Sequence, residues 1–331
     1  MARKATVAPG EPGAADAAGS PARQRRFRSG CYTITAAEYH ADPCIKPSLS
    51  ASLADTLYRK SPGHAWLEHP RLNPKFMPET HSKFDIGTVA HAAMLQGAAP
   101  FKTVQSDDWK NGPARQERDE IRASGLIPIL EKEWEQIRTM IKAARWQLRQ
   151  IPDATTFSAG QGEAEQTLIW RDGSVYCRAR IDWLDLKHRI LWDYKTSDNA
   201  QPQAWGARQM YDIGADIQSS FYCRGAAMVF GKNFQFRFVV QETSEPYALS
   251  IVALDPEAEE IARNKVEDAI HTWSVCQRRQ HWPLYQARIY HVSPPIWMMK
   301  ETETKKIQRH VDGIDKVDPF RFSVAMWKPS S

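Results

Sequence analysis

The chain has 331 residues, of which 42% are apolar, with a formal net charge of +5 and five cysteines. That is enough for one large domain or two modest ones with a real core. No 18-residue apolar run is present, which excludes a helical membrane span, and the odd, dispersed set Cys31, Cys44, Cys177, Cys223 and Cys276, with no Cys-x-x-Cys pair, argues for free thiols rather than a disulfide framework or zinc site.

Residues 1–30 are rich in Ala, Gly and Pro and end in RQRRFR, the composition of a disordered basic tail. With no apolar leader and free thiols, the expected compartment is the cytoplasm. SLSASLADTLYRKSPGHAWLEHP (48–70) predicts a short serine-capped helix closed at Ser61-Pro62-Gly63, followed by a Pro-rich connector to about Thr80. SKFDIGTVAHAAML (82–95) predicts a helix. Residues 101–125, broken by Asn111-Gly112-Pro113, predict a loop with at most a short helix. Over 127–151, apolar residues at 130, 134, 137, 141, 144 and 148 have helix spacing. The character then changes, and 163–170, 175–186 and 189–196 predict three strands in a meander, the first two joined at Asp172-Gly173. A long helix over 203–230 ends at Gly231. Strands at 233–240 and 247–254 follow, and Asp255-Pro256 opens a helix to about Gln280. This order predicts one α/β domain with a mixed sheet flanked by helices.

The stretch LWDYKTSD (191–198) puts an acid and a lysine two residues apart in an apolar strand, where both are costly to bury. A symmetric turn at Lys187-His188, or over Leu186–Arg189, places Asp182 directly opposite Asp193, about 5 Å away on one face. Two like charges there repel unless a cation sits between them, and hard divalent cations prefer carboxylate oxygens. Lys195, Arg180 and Arg178 share that face by the period of two. A cross-strand salt-bridge network among Asp182, Asp193, Lys195 and Arg180 is the competing reading. Other candidates are His91 on the apolar helix and Glu163 and Glu165 on one face of the first meander strand. Tyr211, Ala215, Gln218 and Tyr222 add one stripe of the long helix. Taken singly, each has an ordinary structural explanation.

Together, in this chain order, these residues resemble the PD-(D/E)XK nuclease superfamily. Within it they look most like the RecB-like group and the RecE-type exodeoxyribonuclease VIII domain. FDIGTVAHAAML is similar to that family's Gly-x-x-x-His helix, GEAEQTLIW to its first acidic strand and CRARIDWLD to its Asp strand. LWDYKTSDNA resembles its D-x-K strand and YDIGADIQSSFYCRGA its Gln-x-x-x-Tyr helix. The resemblance implies a restriction-endonuclease-like domain over 31–285, with a helical part at 40–151 and a catalytic core at 160–280. Residues 286–331 remain as a C-terminal extension of unassigned role. It implies that His91, Asp182 and Asp193 bind Mg²⁺ or Mn²⁺, that Lys195 positions or activates the attacking water, and that Glu165, with Glu163 as the alternative, is the first-strand acid. Gln218 and Tyr222 would hold the site or the DNA strand. It further implies exonuclease action on linear double-stranded DNA from 5′ ends, as a homo-oligomeric ring, beside a RecT-like single-strand-annealing recombinase in phage recombination. Asp193 stands where many relatives carry Glu. The cysteines do not fit the iron–sulfur arrangement of many RecB-like nucleases, so no such cluster is expected. The alternatives are a RecB-like nuclease serving a helicase, DNA repair or a CRISPR system, and a catalytically inactive DNA-binding protein on the same fold.

Overall fold

The protein's structure, a computed structural model, describes residues 26–77, 85–95, 101–157 and 161–311. Its strands are β1 (Gly30–Thr33), β2 (Phe101–Val104), β3 (Ile127–Leu130), β4 (Glu163–Asp172), β5 (Val175–Asp185), β6 (Ile190–Ser197), β7 (Gln235–Glu242) and β8 (Leu249–Val252). Six of them form one sheet in the order β1-β4-β5-β6-β7-β8, while β2 and β3 pair separately in parallel. Every pair in the large sheet is antiparallel except β6–β7, so the sheet is mixed as expected.

Helices cover both faces. The N-terminal helices are α1 (Ala36–His40), α2 (Ala51–Arg59) and α3 (Pro62–Leu67). They are followed by α4 (Asp85–Leu95), α5 (Gly112–Ala123) and α6 (Glu131–Arg149). After the meander come the short α7 (Pro202–Ala204), a π turn over Trp205–Gln209, the short α8 (Met210–Asp212), then α9 (Ala215–Phe230) and α10 (Pro256–Arg279). One core sits between the sheet and α2, α9 and α10, with Trp170, Trp205, Phe221, Phe238 and Trp273 fully buried. The other joins α4 and α6 to the opposite face through Val89, Ile137, Met140, Trp192 and Val239. On α9, Gly225 lets the helix approach Trp170 so closely that an added Cβ would lie 2.6 Å from its ring.

Chain contacts divide the protein into Met1–Leu284 and Tyr285–Ser331. The described part of the second unit is an extended segment and α11 (Ile296–Val311). Of the predicted basic tail, residues 1–25 lie outside the described residues. Its end is structured, because Phe27 bridges to Cys44 and Gly30 opens β1. Residues 82–84 of the predicted 82–95 helix also lie outside. Among the described residues, no helix is long and apolar enough to cross a membrane.

Three sequence expectations are corrected. The 127–151 helix begins at Glu131, because Ile127, Pro128 and Ile129 form β3 and the Glu133 carboxylate accepts from the Leu130 amide at 2.8 Å. The 101–125 segment carries both β2 and a full helix, α5, whose N-cap Asn111 accepts from the Ala114 amide at 2.7 Å. The 203–230 helix is broken at Gly214, which adopts a left-handed φ of 68° with Asp55 packed where a Cβ would stand. Tyr211 therefore lies on a different helix from Gln218 and Tyr222, and the predicted continuous stripe does not exist.

Candidate active site

The site forms where the β5–β6 hairpin opens. Trp183 faces Trp192, Leu184 faces Leu191 and Asp185 faces Ile190, the register that a symmetric turn predicts. Asp185 sets that turn, since its carboxylate accepts from the His188 amide at 2.9 Å and from the His188 ring at 2.8 Å. Past Trp183–Trp192 the ladder stops, and the Tyr194 amide donates to the Asp182 side chain at 2.9 Å. On the other side of β5, Ala164 pairs with Trp183 and Gln166 with Ile181, but Glu165 leaves the ladder with a φ of 57°. A non-glycine residue there costs about 1 kcal/mol or more. Both neighbours of Asp182 are thus released from strand pairing, and the gap admits side chains.

Into it comes His91 from α4, with Nε2 2.9 Å from Asp182 Oδ2 and Nδ1 3.6 Å from Glu165 Oε1. Ligand atoms of His91, Glu165 and Asp182 all lie within 4.8 Å of one another. Glu165 is also ion-paired to Arg180, whose Nη1 donates to the Ile34 carbonyl at 2.8 Å. Asp193 sits beside this cluster, with Oδ1 accepting from Gln218 Nε2 at 2.5 Å and Oδ2 2.6 Å from Lys195 Nζ. That Oδ2 is buried without a hydrogen bond of proper alignment.

The charges explain how these groups coexist. Burial opposes ionisation of Asp182, but the His91 charge and hydrogen bond, Lys195 and the Tyr194 amide outweigh it and hold the acid below its ordinary value. Asp193 is pushed up to about 6, first by burial and then by the Asp182 charge. Burial would neutralise His91, yet Asp182, Glu165 and Asp193 raise it to about 9. Lys195 is raised too, because Asp193 and Asp182 outweigh its burial, so it is a fixed ammonium rather than a base at neutral pH. The cluster gathers more negative charge than Lys195 and Arg180 offset, and a proton on His91 makes up the difference. Two carboxylates and an imidazole at this spacing, beside a carboxylate oxygen with an open lone pair, fit a hard divalent cation.

A cation at His91 must displace that proton. Apparent metal affinity is therefore expected to rise with pH up to about 9, where His91 titrates, by close to tenfold per unit. Calorimetric titration with Mn²⁺ in two buffers of different ionisation enthalpy should report about one proton released at pH 7.5. His91→Gln should release none, and equal release from both proteins would refute the assignment.

The remaining predicted residues separate. Glu163 is exposed and pairs with Leu184. Tyr222 is buried one turn beyond Gln218, with its ring against Phe236. Arg178 turns away to the Ser48 carbonyl and hydroxyl. Arg180, placed by the sequence on the site face and in the competing salt-bridge network with Asp182 and Asp193, pairs instead with Glu165.

The family described as "PDDEXK-like domain of unknown function (DUF3799)" matches residues 60–291, and the chain belongs to it. A crystal structure of a Eubacterium rectale protein that carries an exonuclease designation superposes with a TM-score of 0.53 at 12% identity. The match covers 82% of this chain and 98% of that one, and at this identity it is a likeness of fold. A phage-related exonuclease from Haemophilus somnus 129PT matches at 11% identity over 62% of this chain and 97% of its own, with a TM-score of 0.25. No curated protein matches the chain by sequence. The mixed sheet with flanking helices is the fold of PD-(D/E)XK nucleases, and the chain is a nuclease-like domain of that superfamily.

Proposed function

We propose that this protein is a metal-dependent exodeoxyribonuclease that hydrolyses phosphodiester bonds of linear double-stranded DNA, 5′ to 3′, with Mg²⁺ or Mn²⁺. The observation that carries the reading is the meeting of His91, Glu165 and Asp182 with the Asp193–Lys195 pair in the gap of the hairpin. The family match and the exonuclease designation of the Eubacterium rectale relative support it.

Bound there, a divalent cation would neutralise the phosphate and lower the pKa of a water. His91, Glu165 and Asp182 would hold it, with Asp193 joining through its open oxygen. Arg180 keeps the Glu165 carboxylate turned into the gap, and Gln218 does the same for Asp193. The Lys195 ammonium lies where it can stabilise charge building on the phosphoryl oxygens. Tyr222, one turn further along α9, would help hold the site. The same reading extends to a ring-shaped homo-oligomer working in the cytoplasm on DNA ends. It would supply single strand to a RecT-like annealing partner during phage-type recombination.

Digestion of end-labelled linear duplex against a closed circle, in Mg²⁺, Mn²⁺ or EDTA, tests it. Metal-dependent loss of the linear form alone, with the 5′ label released first, is the expected result. Cutting of circles would replace it with an endonuclease, and binding without cutting would make it a DNA-binding protein.

A further inference from the structure

On α6 the acids Glu131, Glu133 and Glu135 come first, and Arg138, Lys142, Arg145 and Arg149 follow at spacings of four, three and four. That spacing puts the four cations on one stripe, and all four side chains are exposed. The stripe lines an open groove of about 550 Å³, walled by Ala93 of α4 and by Trp134, whose ring packs on Phe101 at 4.5 Å. Arg145 donates to the Ala93 carbonyl at 3.1 Å, two residues beyond His91. Residues two apart point to opposite sides of a helix, so α4 separates the groove from the hairpin site. Arg138 is paired with Glu135 at 2.8 Å, while Lys142 and Arg149 have no ion-pair partner among the described residues.

Like charges at helical spacing repel one another, and the helix dipole favours a cation only in the last turn, at Arg149. Glu135 accounts for Arg138 and the Ala93 carbonyl for Arg145, which leaves Lys142 with neither a partner among the described residues nor help from the dipole. From Arg138 to Arg149 the stripe runs about 16 Å, the axial rise of roughly five base pairs of duplex. We propose that this groove binds the sugar–phosphate backbone of the DNA on its way to or from the hairpin site, through Lys142 and Arg149 above all. The proposal rests on the nuclease reading and gives it a substrate track. Contacts of this kind hold the strand in place and carry no sequence preference.

The test is anisotropy titration of the full chain with labelled duplex, and with the same oligonucleotide single-stranded, in EDTA over a series of salt concentrations. Lys142→Gln/Arg149→Gln is expected to weaken binding about tenfold and to flatten the slope of log K against log salt. The slope should change by about 1.8 on duplex or about 1.4 on single strand, and the form that changes identifies the ligand. In cleavage assays KM should rise with kcat unchanged. The control Arg263→Gln/Arg279→Gln makes the same charge change on α10, across the sheet. Equal losses in both variants would reduce the effect to net charge and overturn the proposal, as would a Lys142/Arg149 variant that binds like wild type while cleavage proceeds. A wild-type chain that neither binds nor cuts DNA would instead sink the nuclease reading and this track with it.

Discussion

Lys195→Ala is expected to lower DNA cleavage by about 10²–10³-fold, or roughly 3–4 kcal/mol of transition-state stabilisation, while the protein still folds and binds its metal. The side chain touches Asp193 and not His91, Glu165 or Asp182, so these three ligands keep their positions. What is lost is a fixed positive charge in a buried site. The loss should fall on kcat, because the ammonium is needed most where charge accumulates during attack. Lys195→Arg should not restore full rate, since a planar guanidinium does not replace a compact ammonium packed 2.6 Å from a carboxylate. Metal-dependent rates under single-turnover conditions, with Mn²⁺ affinity measured in parallel, decide the matter. Cleavage at the wild-type rate would leave the Asp193–Lys195 pair a structural salt bridge.

What the sequence made legible was the local chemistry of the hairpin. Alternation in VYCRARIDWLDL and RILWDYKT fixes which residues share a face, and the short connector allows few registers, so the facing of the two strands followed from counting. What counting could not supply was the release of pairing around Asp182. That depends on Glu165 entering a left-handed conformation and on the Tyr194 amide choosing a side chain over a strand. Neither leaves a mark in composition. The same limit explains α6, where the apolar period ran on through Leu130 although Pro128 and the Glu133 cap start the helix later. The break at Gly214 is a further case, where one glycine in a good helical pattern adopts a left-handed φ with Asp55 packed where a side chain would stand. The gap beside Asp182 depends on contacts between strands, whereas the start of α6 follows from a local proline and cap together with the pairing of β3 to β2.

The largest stability effect is expected far from the chemistry, at Asp42. Its carboxylate is fully buried and accepts from the Ser48 hydroxyl at 2.7 Å, the Ser48 amide at 3.0 Å and Arg71 at 3.1 Å. His69 Nε2 lies at 3.3 Å and Arg178 Nη1 at 3.5 Å. Around it, Leu49 exchanges backbone bonds with Tyr176 and with Arg178, fastening the loop before α2 to β5. Asp42→Ala would strand the Arg178 guanidinium, a buried charge, and should cost about 3–5 kcal/mol, read as a fall in the urea midpoint at unchanged slope. Burial alone would raise the Asp42 pKa, but the His69 hydrogen bond, Arg178 and Ser48 hold it well below the carboxylate range. The stabilisation is therefore complete above about pH 4, the unfolded value, and is lost as pH falls toward the folded one. His69 is depressed as well, chiefly by burial, so the unfolded chain takes up its proton first and stability begins to fall below about pH 6.5. Asp42→Asn keeps the shape and the left-handed backbone at 57° but removes the charge, and should flatten the portion of the curve below pH 4. Urea titrations of wild type and Asp42→Asn between pH 3 and 7 measure it. Parallel curves over that range would show that the arginine cluster holds the loop without the carboxylate.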